Sequence, residues 1–132
     1  MIDHIGIAIS NYGISKAFYS KALAPLGIEL IAEVQGWAGF GAKGEAEFWF
    51  GQATDEEQKQ NTFPIPMHFA FRAGSTEVVD QFYQAAIEAG AVDNGKPGMR
   101  KIYHPNYYGA FVIDPDGHNL EAVCHEAKSK NE

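Results

Sequence analysis

The sequence predicts an α+β fold in which two similar βαβββ modules share one domain of 132 residues. The first observation behind this prediction is an internal repeat, in which Asp3-His4-Ile5-Gly6-Ile7 aligns with Met67-His68-Phe69-Ala70-Phe71. The same alignment places Phe18-Tyr19 on Phe82-Tyr83. The second observation is that each half follows the order strand, helix, three strands. A repeat of half a chain indicates two equivalent structural units.

The first strand of each half alternates in polarity. In His4–Ile9 an isoleucine occupies every second position, and His4 faces the other way together with small residues. Met67–Arg72 repeats the alternation, with His68 in the place of His4. Since successive side chains of a strand point to opposite faces, each histidine is predicted to lie opposite the apolar layer.

A helix is predicted after each of these strands, because apolar residues recur there at a spacing of four. Ser75 or Thr76 is a plausible cap for the second helix, and the helices are expected to end near Gly27 and Gly90. The apolar positions are Ile14, Phe18 and Ala22 in the first helix and Val78, Phe82 and Ala86 in the second.

Short apolar runs separated by turn residues predict three strands after each helix. Asp114-Pro115-Asp116-Gly117 predicts a tight hairpin turn before the last strand. Module one is taken as residues 1–51, the linker as 52–66 and module two as 67–127. The predicted strands are Ile28–Val34, Trp37–Gly41, Ala46–Gly51, Arg100–Tyr103, Tyr107–Ile113 and Asn119–Cys124.

Composition narrows the class of partner. Ten basic and 17 acidic residues give a net charge of −7, which argues against nucleic-acid binding. No run approaches the roughly 20 apolar residues of a transmembrane helix, so no membrane association is expected. Cys124 is the only cysteine, which agrees with a reducing compartment. We therefore expect a cytoplasmic protein with a small-molecule partner.

Three residues are candidates for a metal site. His4 and His68 hold equivalent places in the repeat, and Glu121 is a carboxylate in the apolar run 119–124. Two imidazoles and one carboxylate suit one divalent ion such as Zn, Fe, Mn, Ni or Co. The alternatives are that each histidine is an ordinary polar residue and that Glu121 forms a structural ion pair with Arg72.

The segment Gly98–Tyr108 is a candidate for substrate contacts, because cationic, polar and aromatic residues crowd there before an apolar strand. His104 and Tyr107 are predicted to donate protons or hydrogen bonds, and Arg100 to hold a carboxylate. The alternative is an exposed loop with ordinary turn residues. The other predicted substrate-binding residues are Trp49, Tyr108 and Phe111.

Trp49 has two interpretations of its own. In the first, its indole stacks on a planar substrate. In the second, the indole only fills space that a larger set of metal ligands would occupy. Glu47, two residues away, is predicted to face the same side of the strand.

The doubled βαβββ pattern, the histidine opening each half, and the run Asp114-Pro115-Asp116-Gly117-His118-Asn119-Leu120-Glu121 resemble the vicinal oxygen chelate superfamily. That group includes glyoxalase I, extradiol dioxygenases, fosfomycin-resistance thiol transferases and bleomycin-resistance proteins. The resemblance implies a curved, partly open eight-stranded barrel around a cleft, with helices outside. It also implies His4, His68 and Glu121 as metal ligands, with Glu121 available for catalysis.

The resemblance also bears on function. In glyoxalase I a fourth ligand, a glutamate, lies where this chain has Trp49, and Glu47 is the nearest carboxylate. The three-ligand set is more similar to that of the dioxygenase and thiol-transferase branches. The expected function is that of a divalent-metal-dependent lyase or dioxygenase acting on a small oxygenated substrate, as a homodimer. The alternatives are a non-catalytic, bleomycin-resistance-like binder that sequesters a small molecule and a degenerate member that serves only as a subunit.

Overall fold

The structure, a computed structural model, describes residues 1–127; positions 128–132, which the predicted domain includes, lie outside the described residues. The helices are α1 (Tyr12–Ala22), α2 (Asp55–Gln58) and α3 (Thr76–Glu88), and a short 3-10 helix spans Ala24–Leu26. The strands are β1 (Ile5–Ile9), β2 (Glu29–Val34), β3 (Trp37–Gly41), β4 (Phe48–Gln52), β5 (His68–Arg72), β6 (Val92–Met99), β7 (Tyr108–Ile113) and β8 (Asn119–Cys124).

Two separate four-stranded mixed sheets form, one from each half of the chain. The first sheet has the order β1-β4-β3-β2 and the second has the order β5-β8-β7-β6. In each sheet the first and last strands of the module run parallel, and the remaining pairs are antiparallel. The predicted fold of two βαβββ modules is therefore confirmed, with the eight strands divided into two open sheets rather than closed into a barrel.

One predicted strand is wrong. Arg100–Tyr103 does not form a strand, and the edge strand of the second sheet is β6, which precedes it. Gly95, Pro97 and Gly98 give β6 a poor strand propensity, and its pairing with β7 is irregular on both sides of Gly95. An edge strand tolerates proline because one side of it has no neighbour to receive a hydrogen bond.

Both long helices begin at a side-chain cap. Asn11 accepts a hydrogen bond from the Ile14 N–H at 3.0 Å, and Ser75 accepts one from the Val78 N–H at 3.2 Å. The Ser75 cap was one of the two predicted. Gly90 follows α3 with φ +107°, the left-handed conformation that ends helices. Within residues 1–127 no helix is long and apolar enough to cross a membrane.

A shared core decides which sheet faces remain open. The inner faces of both sheets pack with α1 and α3 into one cluster that includes Phe18, Phe50, Phe82 and Leu120. The residues that alternate with these on the strands point away from the core. His4, directly before β1, and the predicted site residues on β4, β5 and β8 therefore lie on the outer faces of the two sheets.

The turn before β8 ties module two to module one. The buried Asp114 carboxylate accepts the Tyr19 hydroxyl of α1 and the N–H groups of Asp116 and His118, at 2.9 and 2.8 Å. Asp116 in turn accepts hydrogen bonds from the backbone and hydroxyl of Ser10. Buried polar groups are retained at such a position only when they are paired.

One buried and one half-buried tyrosine make the fold sensitive to alkali. Burial, and next the charge of Asp114, raise the pKa of Tyr19 well above its usual value of 10. Burial, and next the hydrogen bond to Asp80, raise the pKa of Tyr108 to about 12. Above pH 10 the unfolded chain therefore binds fewer protons than the folded chain, and the free energy of unfolding falls as pH rises.

We expect urea unfolding to show this fall between about pH 9 and about pH 11, with a shallower slope for Tyr19→Phe than for the wild-type chain. A free energy of unfolding that stays constant across that interval would contradict the expectation.

Candidate functional site

The outer face of the second sheet brings two predicted ligands together. The His68 Nε2 lies 3.2 Å from the Glu121 Oε1. Glu121 is only 2% exposed, whereas about half of the His68 side chain is open to solvent. A carboxylate this deeply buried requires a cationic or hydrogen-bonding partner.

The hydrogen bond made by the His68 Nδ1 determines whether the Nε2 of a neutral ring carries a proton. The Nδ1 lies 3.0 Å from the carbonyl oxygen of Asn119. A carbonyl oxygen only accepts, so the Nδ1 carries a proton and a neutral imidazole keeps its lone pair on the Nε2. That lone pair faces the carboxylate oxygen of Glu121. Two acceptors at this distance require a shared cation, either a proton on the imidazole or a metal ion.

The other oxygen of Glu121 is held by Tyr107, whose hydroxyl donates a hydrogen bond to the Oε2. Burial, and next this hydrogen bond, raise the pKa of Tyr107 well above its usual value. Phe111 stacks on the His68 ring at a centroid distance of 6.3 Å, and Arg100 lies 5.5 Å from the Phe111 centroid. The predicted residues Tyr107, Arg100 and Phe111 thus surround the His68–Glu121 pair.

The predicted residue His104 is linked to the His68–Glu121 pair through Tyr107. Its Nδ1 accepts a hydrogen bond from the Asn106 N–H at 3.0 Å, and its ring centroid is 6.5 Å from that of Tyr107. His125 packs against the same tyrosine at 5.2 Å. The sequence did not point to His125 as a ligand, because this residue lies near the C-terminal end of the chain.

Tyr108 differs from the other predicted substrate contacts. The structure places it on the helix side of β7, where its hydroxyl donates a 2.6 Å hydrogen bond to Asp80 of α3. Adjacent residues of a strand point to opposite faces, so Tyr107 and Tyr108 cannot both reach Glu121. Among residues 1–127 Glu121 pairs with His68 rather than with Arg72, the alternative left open by the sequence.

His4 lies on the outer face of the first sheet. It lines a pocket of about 380 Å³ together with Gly6, Val34, Gln35, Trp37 and Trp49. Its Nδ1 lies 2.6 Å from the Asp3 Oδ1, and 59% of its side chain is exposed. In the described part of the chain no three His, Cys, Asp or Glu side chains come together as metal ligands.

The two sheets differ at one equivalent position. Trp49 pairs with Gly6 in the first sheet, and Glu121 pairs with Ala70 in the second. The repeat aligns Gly6 with Ala70. Trp49 therefore occupies the place in module one that the carboxylate occupies in module two, as the resemblance implied.

Glycines on neighbouring strands seat both tryptophans of the chain. Trp49 lies opposite Gly39, and Trp37 lies opposite Gly51. A Cβ at Gly39 would come within 2.7 Å of the Trp49 ring, and one at Gly51 within 2.6 Å of the Trp37 ring. The sequence offered Trp37 only as one of the aromatic residues that would line the cleft of a sequestering protein, together with Phe40, Trp49, Tyr107 and Phe111. The glycines at every second position of β3 after Trp37 were a signal for close approach of another group.

A larger cleft, of about 640 Å³, separates the first strands of the two sheets. It is lined by Ile5–Ile7 of module one, by Met67–Arg72 of module two and by the exposed Glu47. The cleft is mainly apolar. Glu47 and His68 contribute groups able to ligate a metal.

The fold is similar to that of several solved structures. A glyoxalase/bleomycin resistance protein from Albidiferax ferrireducens has a TM-score of 0.77 at 24% identity, covering 92% of this chain and 97% of that one. A glyoxalase/bleomycin resistance protein/dioxygenase family enzyme from Burkholderia phytofirmans has a TM-score of 0.70 at 20% identity, covering 93% and 97%. At these identities the likeness shows the fold alone.

A glyoxalase-related enzyme from Fulvimarina pelagi is also similar, with a TM-score of 0.71 at 16% identity over 94% of this chain and 87% of that one. No curated protein matches the chain. A sequence model of the superfamily matches residues 1–122. The predicted resemblance is thus confirmed across nearly the whole chain, which belongs to the glyoxalase/bleomycin resistance protein/dioxygenase superfamily.

Proposed function

We propose that this chain is a divalent-metal-dependent enzyme that acts on a small oxygenated substrate by lyase or dioxygenase chemistry. The observation that supports it is the His68–Glu121 pair, in which an imidazole lone pair and a buried carboxylate oxygen face each other at 3.2 Å. A ligating histidine typically donates its other N–H to a carbonyl or carboxylate, as His68 does toward Asn119. The pair therefore fits a metal ion.

His4 is the third ligand of the proposal. The His4 Nδ1 contacts Asp3, as the His68 Nδ1 contacts Asn119, so the His4 Nε2 is the nitrogen that would ligate the ion. Because His4 and the His68–Glu121 pair lie on outer faces of different sheets, we propose a homodimer. In it the first sheet of one chain faces the second sheet of its partner, and each site takes ligands from both chains. Zn, Fe, Mn, Ni and Co are the candidate ions.

The ion would supply Lewis acidity toward two neighbouring oxygens of the substrate. Around it, Tyr107 holds the Glu121 Oε2 and, with its raised pKa, stays protonated at neutral pH as a hydrogen-bond donor. His104 packs against the Tyr107 ring and helps to orient it. Arg100, held over Phe111, supplies a cation for an anionic substrate group.

The alternative function, sequestration of a small molecule without catalysis, also has an observation in its favour. The pocket beside His4 is lined largely by aromatic and apolar groups, so it does not require a metal ion to bind a ligand. We also propose a cytoplasmic location, with which a single cysteine, the buried Cys124, agrees.

Metal content after dialysis separates the two functions. We expect the wild-type chain to retain about one divalent ion per chain, and Glu121→Gln to lower the affinity by more than about 100-fold, because the amide keeps the shape but loses the charge. Exposed Glu126 provides the matched control, Glu126→Gln. Metal-free wild-type protein, tested with each candidate ion, would refute the enzyme and favour sequestration.

A further inference from the structure

We propose that Trp37 and Trp49 form an aromatic platform that selects a planar, conjugated substrate carrying oxygen atoms on the side that faces His4. The assignment of this ligand as substrate rests on the metal-dependent activity proposed above. The platform itself is a feature of the first sheet alone. It contains both tryptophans of the chain, of which only Trp49 was predicted to bind the substrate of an enzyme.

The rings lie flat on the sheet. A Cβ built on Gly39 meets three atoms of the Trp49 six-membered ring at nearly equal distances, 2.7, 2.8 and 2.8 Å. A Cβ built on Gly51 meets the two bridging carbons of the Trp37 indole, both at 2.6 Å. Equal distances mean that the face of each ring, and not its edge, covers the glycine. The opposite face of each indole then points away from the sheet.

These indoles are not part of the core. The hydrophobic cluster lies on the other side of the first sheet and contains neither tryptophan. Trp37 remains 41% exposed, which leaves a large apolar ring open to solvent. Exposed ring faces next to a pocket are the usual arrangement for stacking on a ligand. The glycine seats hold them in place before any ligand arrives, so little ordering cost remains.

The pocket restricts the class of ligand further. Its volume of about 380 Å³ suits a compound of one or two rings. His4, exposed at its edge, is the group able to meet a ligand oxygen. A flat ring gains dispersion and quadrupole contacts with both indoles, whereas a puckered ring of equal size touches them at only a few atoms. The geometry thus points to an aromatic or otherwise conjugated compound over an aliphatic one.

Two matched compounds test this selection. Catechol and cis-1,2-cyclohexanediol carry the same neighbouring oxygens on a planar and on a puckered six-membered ring. Because both tryptophans belong to the platform, indole fluorescence reports on this site alone. With metal-stripped protein we expect catechol to quench that fluorescence and to bind about 10-fold more tightly than the cyclohexanediol.

A glycine variant tests the seat without removing an indole. Gly39→Ala places a methyl group against the Trp49 ring and is expected to weaken catechol binding about 10-fold. Gly74→Ala is the matched control, since a Cβ at the exposed Gly74 meets nothing within 4 Å. Calorimetry measures both affinities, and circular dichroism checks that the variants are folded. Trp49→Leu provides a second route if Gly39→Ala fails to fold.

Equal affinity for the two diols, no binding of either, or catechol binding without a change in indole fluorescence would overturn the proposal. Failure of metal loading with intact selection for catechol would refute the enzyme and leave the platform standing. Normal metal loading without selection would refute the platform alone.

Discussion

Chains carrying His4→Ala and chains carrying His68→Ala are each expected to lose stoichiometric metal binding, and a refolded mixture of the two to regain about a quarter of the wild-type metal content. The reason is the position of the ligands on different sheets. His68 lies beside Glu121, whereas His4 lines a pocket with the tryptophans. In a mixed dimer one of the two sites combines His4 of one chain with the intact His68–Glu121 pair of the other.

A second mixture serves as the control. Wild-type chains refolded with the double variant His4→Ala/His68→Ala retain about a quarter of the metal if each site spans two chains, and about half if each site lies within one chain. Elemental analysis of the dialysed protein measures both mixtures. If the first mixture stays empty while the second retains about half, each site forms within one chain and the shared-site proposal is wrong.

Asp114→Ala is expected to have the largest effect on stability, lowering the free energy of unfolding by about 4 kcal/mol. The substitution removes the only described acceptor of the Tyr19 hydroxyl and of two backbone N–H groups in the turn. Each buried donor left without a partner costs about 1–3 kcal/mol. Since small domains are stable by about 5–15 kcal/mol, such a loss is readily measured by urea unfolding.

The neighbouring carboxylate gives the comparison. Asp116 is only partly buried and pairs with Ser10, so Asp116→Ala is expected to cost about 1 kcal/mol. Tyr19→Phe removes one donor to Asp114 and leaves the other two contacts in place. Its expected effect on the free energy of unfolding is similar to that of Asp116→Ala. A cost for Asp114→Ala no greater than that for Asp116→Ala would show that this turn does not join the modules energetically.

The repeat in the sequence was sufficient to predict the fold. The apolar side of a strand must face a core, so alternation at Ile5–Ile9 and at His68–Arg72 assigned both histidines to open faces. The same alternation in Asn119–Cys124 assigned Glu121 to the face opposite Leu120 and Ala122. It failed at β6, whose glycines and proline carry no strand signal and which pairs only because β7 offers its edge.

Local pattern thus decided the elements, their order and the face on which each side chain lies, because these depend on neighbours along the chain. Which faces meet was decided by the tertiary structure. Packing both inner faces around α1 and α3 turned the two outer faces away from that core. The pairing of β5 with β8 brought His68 to Glu121, and the pairing of β3 with β4 placed Trp37 over Gly51. Such contacts join residues distant in sequence, and no periodicity within one segment encodes them.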